Sequence, residues 1–184
     1  MHSHQQNIFQ TPIWGFIFNH EEYQSIDYTQ YILEMSQSTP SVKKSNIGGW
    51  QSKDNLHTHG IFREFASHLV AQAKEVLVPY TNQPIEVQSM WANINDKYSY
   101  NWHHTHEGEL SGVFYLTIPK NSGKLVLVDP AVRSSARVVS NKNYSIQPEK
   151  LACIMFPSWL EHYVEPNMSE DVRMSISFNI GMSK

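Results

Sequence analysis

One cysteine, Cys153, stands in a chain of 184 residues, so an intramolecular disulfide is excluded. It lies inside the apolar run "LACIMF" and reads as a small buried thiol. Lack of a disulfide framework fits a reducing compartment. No apolar run approaches the ~20 residues that a membrane-spanning helix needs. The stretch "MHSHQQNIFQ" is polar, without the apolar segment of a signal peptide, and its His2 and His4 read as tail residues. The protein is therefore expected to be soluble and cytoplasmic, with no membrane partner. Excess basic charge is missing too. Fourteen Lys and Arg are scattered among seventeen Asp and Glu, a formal net charge of −3. That leaves no electrostatic footprint for a nucleic-acid partner.

Aromatic residues are plentiful. Five Trp, nine Tyr and eight Phe within a 40% apolar composition specify a folded globule. The length suits one domain over 1–184, with a strand and helices in 8–80 packed on a β-core over 85–181. "IFQTPIWGFIFN" (8–19) predicts a strand broken near Pro12 and Gly15. Residues 21–37 predict a helix, and 38–55 a long polar loop. In 61–80, Ile61, Phe62, Phe65, Leu69, Ala73, Val76 and Leu77 form one helical stripe that Pro79 stops. His68 falls at that helix's boundary or surface. After residue 84 come some eight short runs, including "IEVQSMWANIN", "LSGVFYLTIP", "ARVVS" and "VRMSISFNI", separated by turn residues. They predict a mainly β antiparallel sandwich or barrel, with the helices on an outer sheet face. Neither an internal repeat nor an interdomain linker is visible.

Three of ten histidines crowd into "NWHHTHEGELSGVFYL" (101–116). On a strand, His104 and His106 share one face and His103 and Thr105 the other. Two imidazoles on one face can take adjacent positions on a metal ion. A third ligand must come from elsewhere: His20, His57, His59, His68, His162 or a carboxylate. His162 follows the turn in "FPSWLEHYVEP", and two ligands from one strand with one from another leave open coordination positions. Solvated or core histidines satisfy the same spacing. The last strand adds a second signal. Arg173, Ser175 and Ser177 share one face of "VRMSISFNI", and Met174, Ile176 and Phe178 the other. A buried arginine needs a carboxylate. Either a ligand supplies it, or Asp171, Glu170 or Asp129 does.

Taken in order, "HTHEGELSGVFYL", "FPSWLEHYVEPN" and "RMSISFN" resemble the Fe(II)/2-oxoglutarate-dependent oxygenases. With "NIGGWQS" upstream, the closest resemblance is to a small group found in marine bacteria and their phages, over roughly 8–180. The resemblance implies a double-stranded β-helix, the jelly roll of cupins. It implies Fe(II) on His104 and His162, and 2-oxoglutarate with its distal carboxylate on Arg173 and Ser175. Tyr115 and Asn93 would line the same pocket. The superfamily usually carries His-x-Asp or His-x-Glu, where this chain has His104-Thr105-His106. His106 is the favoured second metal ligand on strand parity. Glu107, swung in at Gly108, and a water are the alternatives. The implied reaction is hydroxylation of a small-molecule or peptide substrate with molecular oxygen. The 38–55 loop, with Gly48, Gly49 and Trp50, reads either as a lid over that site or as a surface connection. The competing reading is a cupin-like metal- or ligand-binding jelly roll without oxygenase activity. Substrate identity and oligomeric state are not legible.

Overall fold

Period-two alternation in the second half of the chain gives each strand one polar and one apolar face, and the fold is organised around that difference. In the computed structural model, residues 10–18, 27–131 and 143–183 are described. Six strands form one antiparallel sheet: β1 (Trp14–Ile17), β3 (Trp50–Gln51), β4 (Ile85–Asn95), β6 (Leu110–Thr117), β9 (Ala152–Pro157) and β11 (Arg173–Met182). Their order is β1-β9-β6-β11-β4-β3. Five form the facing sheet: β2 (Asn46–Ile47), β5 (Tyr100–His104), β7 (Leu125–Val128), β8 (Asn143–Ile146) and β10 (His162–Val164), in the order β2-β5-β10-β7-β8. Two opposed antiparallel sheets are the expected jelly roll.

The main apolar core lies outside this sandwich. Met174, Ile176, Phe178 and Ile180 of β11, Met90, Ala92 and Ile94 of β4, and Phe114 of β6 point to the outer face of the large sheet. Two helices cover that face, α1 (Tyr28–Ser38) and α2 (Arg63–Leu77). From α2, Phe65, Leu69, Ala73 and Leu77 are buried, with the Phe65 ring 4.9 Å from that of Phe114. The predicted stripe is thus the packed one. Between the sheets, a small apolar cluster of Leu125, Leu127, Phe156 and Leu160 fills one end. The remaining interior is polar: Arg173, Ser175 and Asn179 of β11 face Asn93 and Asn95 of β4 and Ser111 of β6, all buried.

Several expected boundaries shift, each for a local reason. Among the described residues of the predicted strand 8–19, the strand is Trp14–Ile17; it starts after Pro12 and runs through Gly15, which pairs with Ile154. Of the predicted helix 21–37, residues 21–26 lie outside the described residues; Tyr28–Ser38 is helical, and Asp27 caps it by accepting the Gln30 N–H at 2.9 Å. The second helix starts at Arg63 after a 3-10 turn at Gly60–Phe62 and ends at Leu77, ahead of Pro79. The 38–55 stretch is not a plain loop. Asn46 pairs with Asn101 on the small sheet, and Trp50 pairs with Ile94 on the large one. Gly48 and Gly49, at φ +72° and +61°, make the crossing between sheets. Residues 136–140, read above as a strand, and His20 lie outside the described residues.

Candidate metal and co-substrate site

β5 and β10 are neighbours in the small sheet, and their pairing puts His104 directly opposite His162. Asn101 then pairs with Val164, so two residues, Trp102 and His103, stand against the single Tyr163. This bulge reverses the strand's parity. Asn101 and His104 both face the interior, while Trp102 and His103 turn outward. His103 stacks on the Tyr163 ring at 4.3 Å and pairs with Glu161 at 2.8 Å, on the outer surface as its parity predicted.

The two inward rings are oriented by their own backbone. His104 Nδ1 lies 2.6 Å from the Trp102 carbonyl, and His162 Nδ1 lies 2.9 Å from that of Leu160. Each Nδ1 therefore carries the proton, and each Nε2 lone pair points into the pocket. His106 joins them by another route. β5 ends at His104, so strand parity does not place His106. A turn through Gly108 does, with φ +98°, and the His106 N–H donates to the Ser158 carbonyl at 3.0 Å. One nitrogen from each of the three rings lies within 4.8 Å of the others. Glu107 is exposed and outside this cluster. His57, His59 and His68 lie elsewhere: His59 bonds the Tyr31 hydroxyl at 3.0 Å, and His57 sits in a 3-10 turn.

Burial sets the electrostatics. It pushes His162 down to about 3, with His104 adding to the effect, and His106 down to about 4. His104 is lowered by the same desolvation. All three rings are neutral at physiological pH, the state in which an imidazole ligates a metal.

Arg173 enters the same pocket from the large sheet, together with Ser175, Asn93 and Tyr115. It is 2% exposed. Its Nη1 donates to the Ser122 carbonyl at 2.5 Å, and its Nη2 has no partner. Among the described residues no carboxylate pairs with it; Glu170 pairs with Lys97 instead. Desolvation lowers its guanidinium to about 10, still charged at neutral pH. Burial pushes the Tyr115 phenol upward against the pull of Arg173, so it stays protonated. The Ser122 hydroxyl and the Asn93 Oδ1 are also buried without partners, while Asn93 Nδ2 donates to Ser177 at 3.1 Å.

Several lining residues were not anticipated, among them Ser45, Trp91 and Ser111. Ser45 is a serine in a connecting segment, with no pattern to betray it, and so is Ser122, which meets Arg173 through its carbonyl. Ser45 reaches the site because β2 is laced to β5; its hydroxyl lies 3.4 Å from His104 Nε2 and accepts from Asn101 Nδ2 at 3.2 Å. Trp91, on the inner face of β4, has its ring 5.4 Å from that of His106. Ser45, Trp91, His104 and His106 also line an outer cleft of ≈ 1050 Å³, with Trp102, Ile47, Lys44 and Lys53 on its wall. These four form the throat between inner pocket and cleft. The 38–55 segment makes part of the wall, and movement as a lid would break its ladder bonds to both sheets.

A family model described as "Putative 2OG-Fe(II) oxygenase" matches residues 89–179, which hold the histidine cluster and Arg173. No curated protein matches the chain in sequence. Solved structures share its fold at low identity. A prolyl-4-hydroxylase of Pseudomonas putida superposes with a TM-score of 0.72 at 9% identity, over 95% of this chain and 94% of that one. HygX of Streptomyces hygroscopicus, with nickel and 2-oxoglutarate bound, gives 0.66 at 13%, over 94% and 83%. SnoN, a non-haem α-ketoglutarate-dependent epimerase of nogalamycin biosynthesis, gives 0.71 at 13%, over 94% and 77%. The chain is thus similar to the 2-oxoglutarate/Fe(II) oxygenases by family model over the stretch that holds the histidine cluster and Arg173, and shares their fold over nearly its whole length.

Proposed function

We propose that the protein uses 2-oxoglutarate and molecular oxygen to hydroxylate a peptide side chain or a small metabolite. His104, His106 and His162 hold Fe(II), and Arg173 holds the co-substrate. One observation carries this reading. Three neutral imidazoles and a buried guanidinium with an unpartnered Nη2 share one pocket, with no protein carboxylate among the described residues to neutralise the arginine. An orphaned buried donor of that kind is costly unless a ligand meets it. The donor set fits the metal as well: imidazole is a ligand for ferrous iron.

Bound Fe(II) supplies the oxygen chemistry that no side chain of the pocket can perform. The chain's own residues bind and orient. The Arg173 fork, braced by the Ser122 carbonyl, receives the distal carboxylate, joined by the hydroxyl of Ser175. Tyr115, held protonated by burial, is a donor on the same wall. Asn93 completes the lining. Phe156, Leu125 and Val164 keep the inner pocket apolar at its flank, which excludes water and strengthens the polar contacts. An imidazole in place of the usual carboxylate leaves the site one unit more positive, which shifts redox poise and metal preference. The lone buried Cys153 supports a reducing, cytoplasmic setting. The motifs quoted above support kinship with the marine bacterial and phage group.

The test is an anaerobic titration. Adding 2-oxoglutarate to the Fe(II)-loaded protein should change its visible absorption. Arg173→Ala should retain iron and lose that change. Wild-type protein that neither binds nor consumes 2-oxoglutarate would overturn the reading and leave a metal-binding jelly roll.

A further inference from the structure

His104 and His162 are fixed twice, by the β5–β10 ladder and by their Nδ1 bonds. His106 has neither support. It lies beyond the strand, and its ring nitrogens have no hydrogen-bond partner among the described residues. Its backbone N–H bond to Ser158 is what ties it down. Ser158 is fully buried and is held in turn. Its N–H donates to the Glu109 carbonyl at 3.1 Å, and its hydroxyl lies 3.0 Å from that of Ser111. Ser111 lies 2.7 Å from Asn179 Oδ1, and Asn179 Nδ2 donates to the Ser89 hydroxyl at 2.9 Å.

Register explains why these groups meet. Asn179 of β11 pairs with Ser89 of β4 on one side and Ser111 of β6 on the other. Ser111 pairs across to Phe156 of β9, two residues before Ser158. A single polar rung therefore crosses the large sheet and ends at Ser158, whose carbonyl receives the His106 N–H. The proton count fixes its direction. Ser111 has one hydroxyl hydrogen, and the shorter contact is to Asn179, so Ser158 donates to Ser111 and Ser111 to Asn179. A buried and satisfied chain of this kind is stiff.

We infer that the rung Ser89–Asn179–Ser111–Ser158 positions His106, making Ser111 and Asn179 positioning residues for the third imidazole of the metal site. The inference rests on the metal site proposed above. Its test uses Co(II) as the probe, added to the metal-free protein, with affinity and ligand-field absorption as readouts. Ser111→Ala should weaken Co(II) binding roughly 10-fold or more, the usual effect of removing a group that orients a ligand, and should alter the absorption envelope. Asn179→Leu should do the same from one step further along. In a His106→Ala background, Ser111→Ala should cost no further affinity, because the ring it positions is gone. Unchanged Co(II) affinity in folded Ser111→Ala protein would overturn the inference, and so would an equal loss in both backgrounds. Should Ser111→Ala fail to fold, Ser158→Ala tests the same link from the other end and leaves the Ser158 carbonyl in place. Wild-type protein that binds no Co(II) would instead sink the metal site itself, a separate outcome.

Discussion

The histidines carry two separate properties, the direction of the lone pair and the state of charge. Direction comes from backbone carbonyls two residues upstream, Trp102 for His104 and Leu160 for His162. Charge comes from burial, and it makes the metal-free fold sensitive to acid. An unfolded histidine takes its proton near pH 6.5, whereas His162 in the fold resists until about 3. Between those values the unfolded chain binds more protons, so stability falls as the pH falls. His162 alone accounts for about 2 kcal/mol at pH 5. His106 and His104, shifted the same way but less buried, add to it. Urea midpoints of the metal-free protein should therefore drop between pH 7.5 and pH 5, and the drop should shrink in His162→Asn. A midpoint unmoved over that range would show that the rings are already charged or solvated.

Elements bring these residues together, and here the sequence was legible unevenly. The β11 alternation could be read directly, because one face is wholly apolar and the other polar over seven residues. The resemblance and the turn before His162 likewise pointed to a group that does converge. Three things could not be read. The bulge at Trp102–His103 depends on pairing with Tyr163, which only the fold supplies. His106 reaches the site by a turn rather than by strand parity, so the right neighbours were expected for an incomplete reason. Residues 38–55 look like loop because their strands are two residues long and get their partners from distant β5 and β4. That segment lends itself to a prediction. At Gly49 the backbone is at φ +61°, and a Cβ there would drive into the Ile94 carbonyl. Gly49→Ala should destabilise by roughly 1–3 kcal/mol. It should also weaken the pairing of β2 with β5 that brings Ser45 to His104. Thermal unfolding checks the first effect. A faster backbone-amide exchange at Trp102, whose N–H donates to Ser45, checks the second. An unchanged melting temperature would mean that the crossing between sheets is not constrained.

The whole molecule separates two tasks by sheet face. Apolar burial is concentrated between the helices and the outer face of the large sheet, so the interior of the sandwich is free to hold polar groups that contribute little to folding. Arg173 is the sharpest case, a buried cation with one hydrogen bond and one orphaned nitrogen. Such a group favours ligand binding at the expense of stability. Replacing it by a well-packed apolar residue removes a charge that the fold does not satisfy. Arg173→Met should thus be at least as stable as the wild type without co-substrate. With co-substrate the order should reverse. At 2-oxoglutarate one hundred times its dissociation constant, wild-type protein loaded with metal gains about 2.7 kcal/mol. For a chain of this length that is a rise in melting temperature of roughly 5–10 °C. Arg173→Met should show none of it. A variant destabilised by more than about 2 kcal/mol in the absence of 2-oxoglutarate would mean that the guanidinium is a structural tie. A variant that still responds to the co-substrate would mean that the carboxylate is received elsewhere in the pocket.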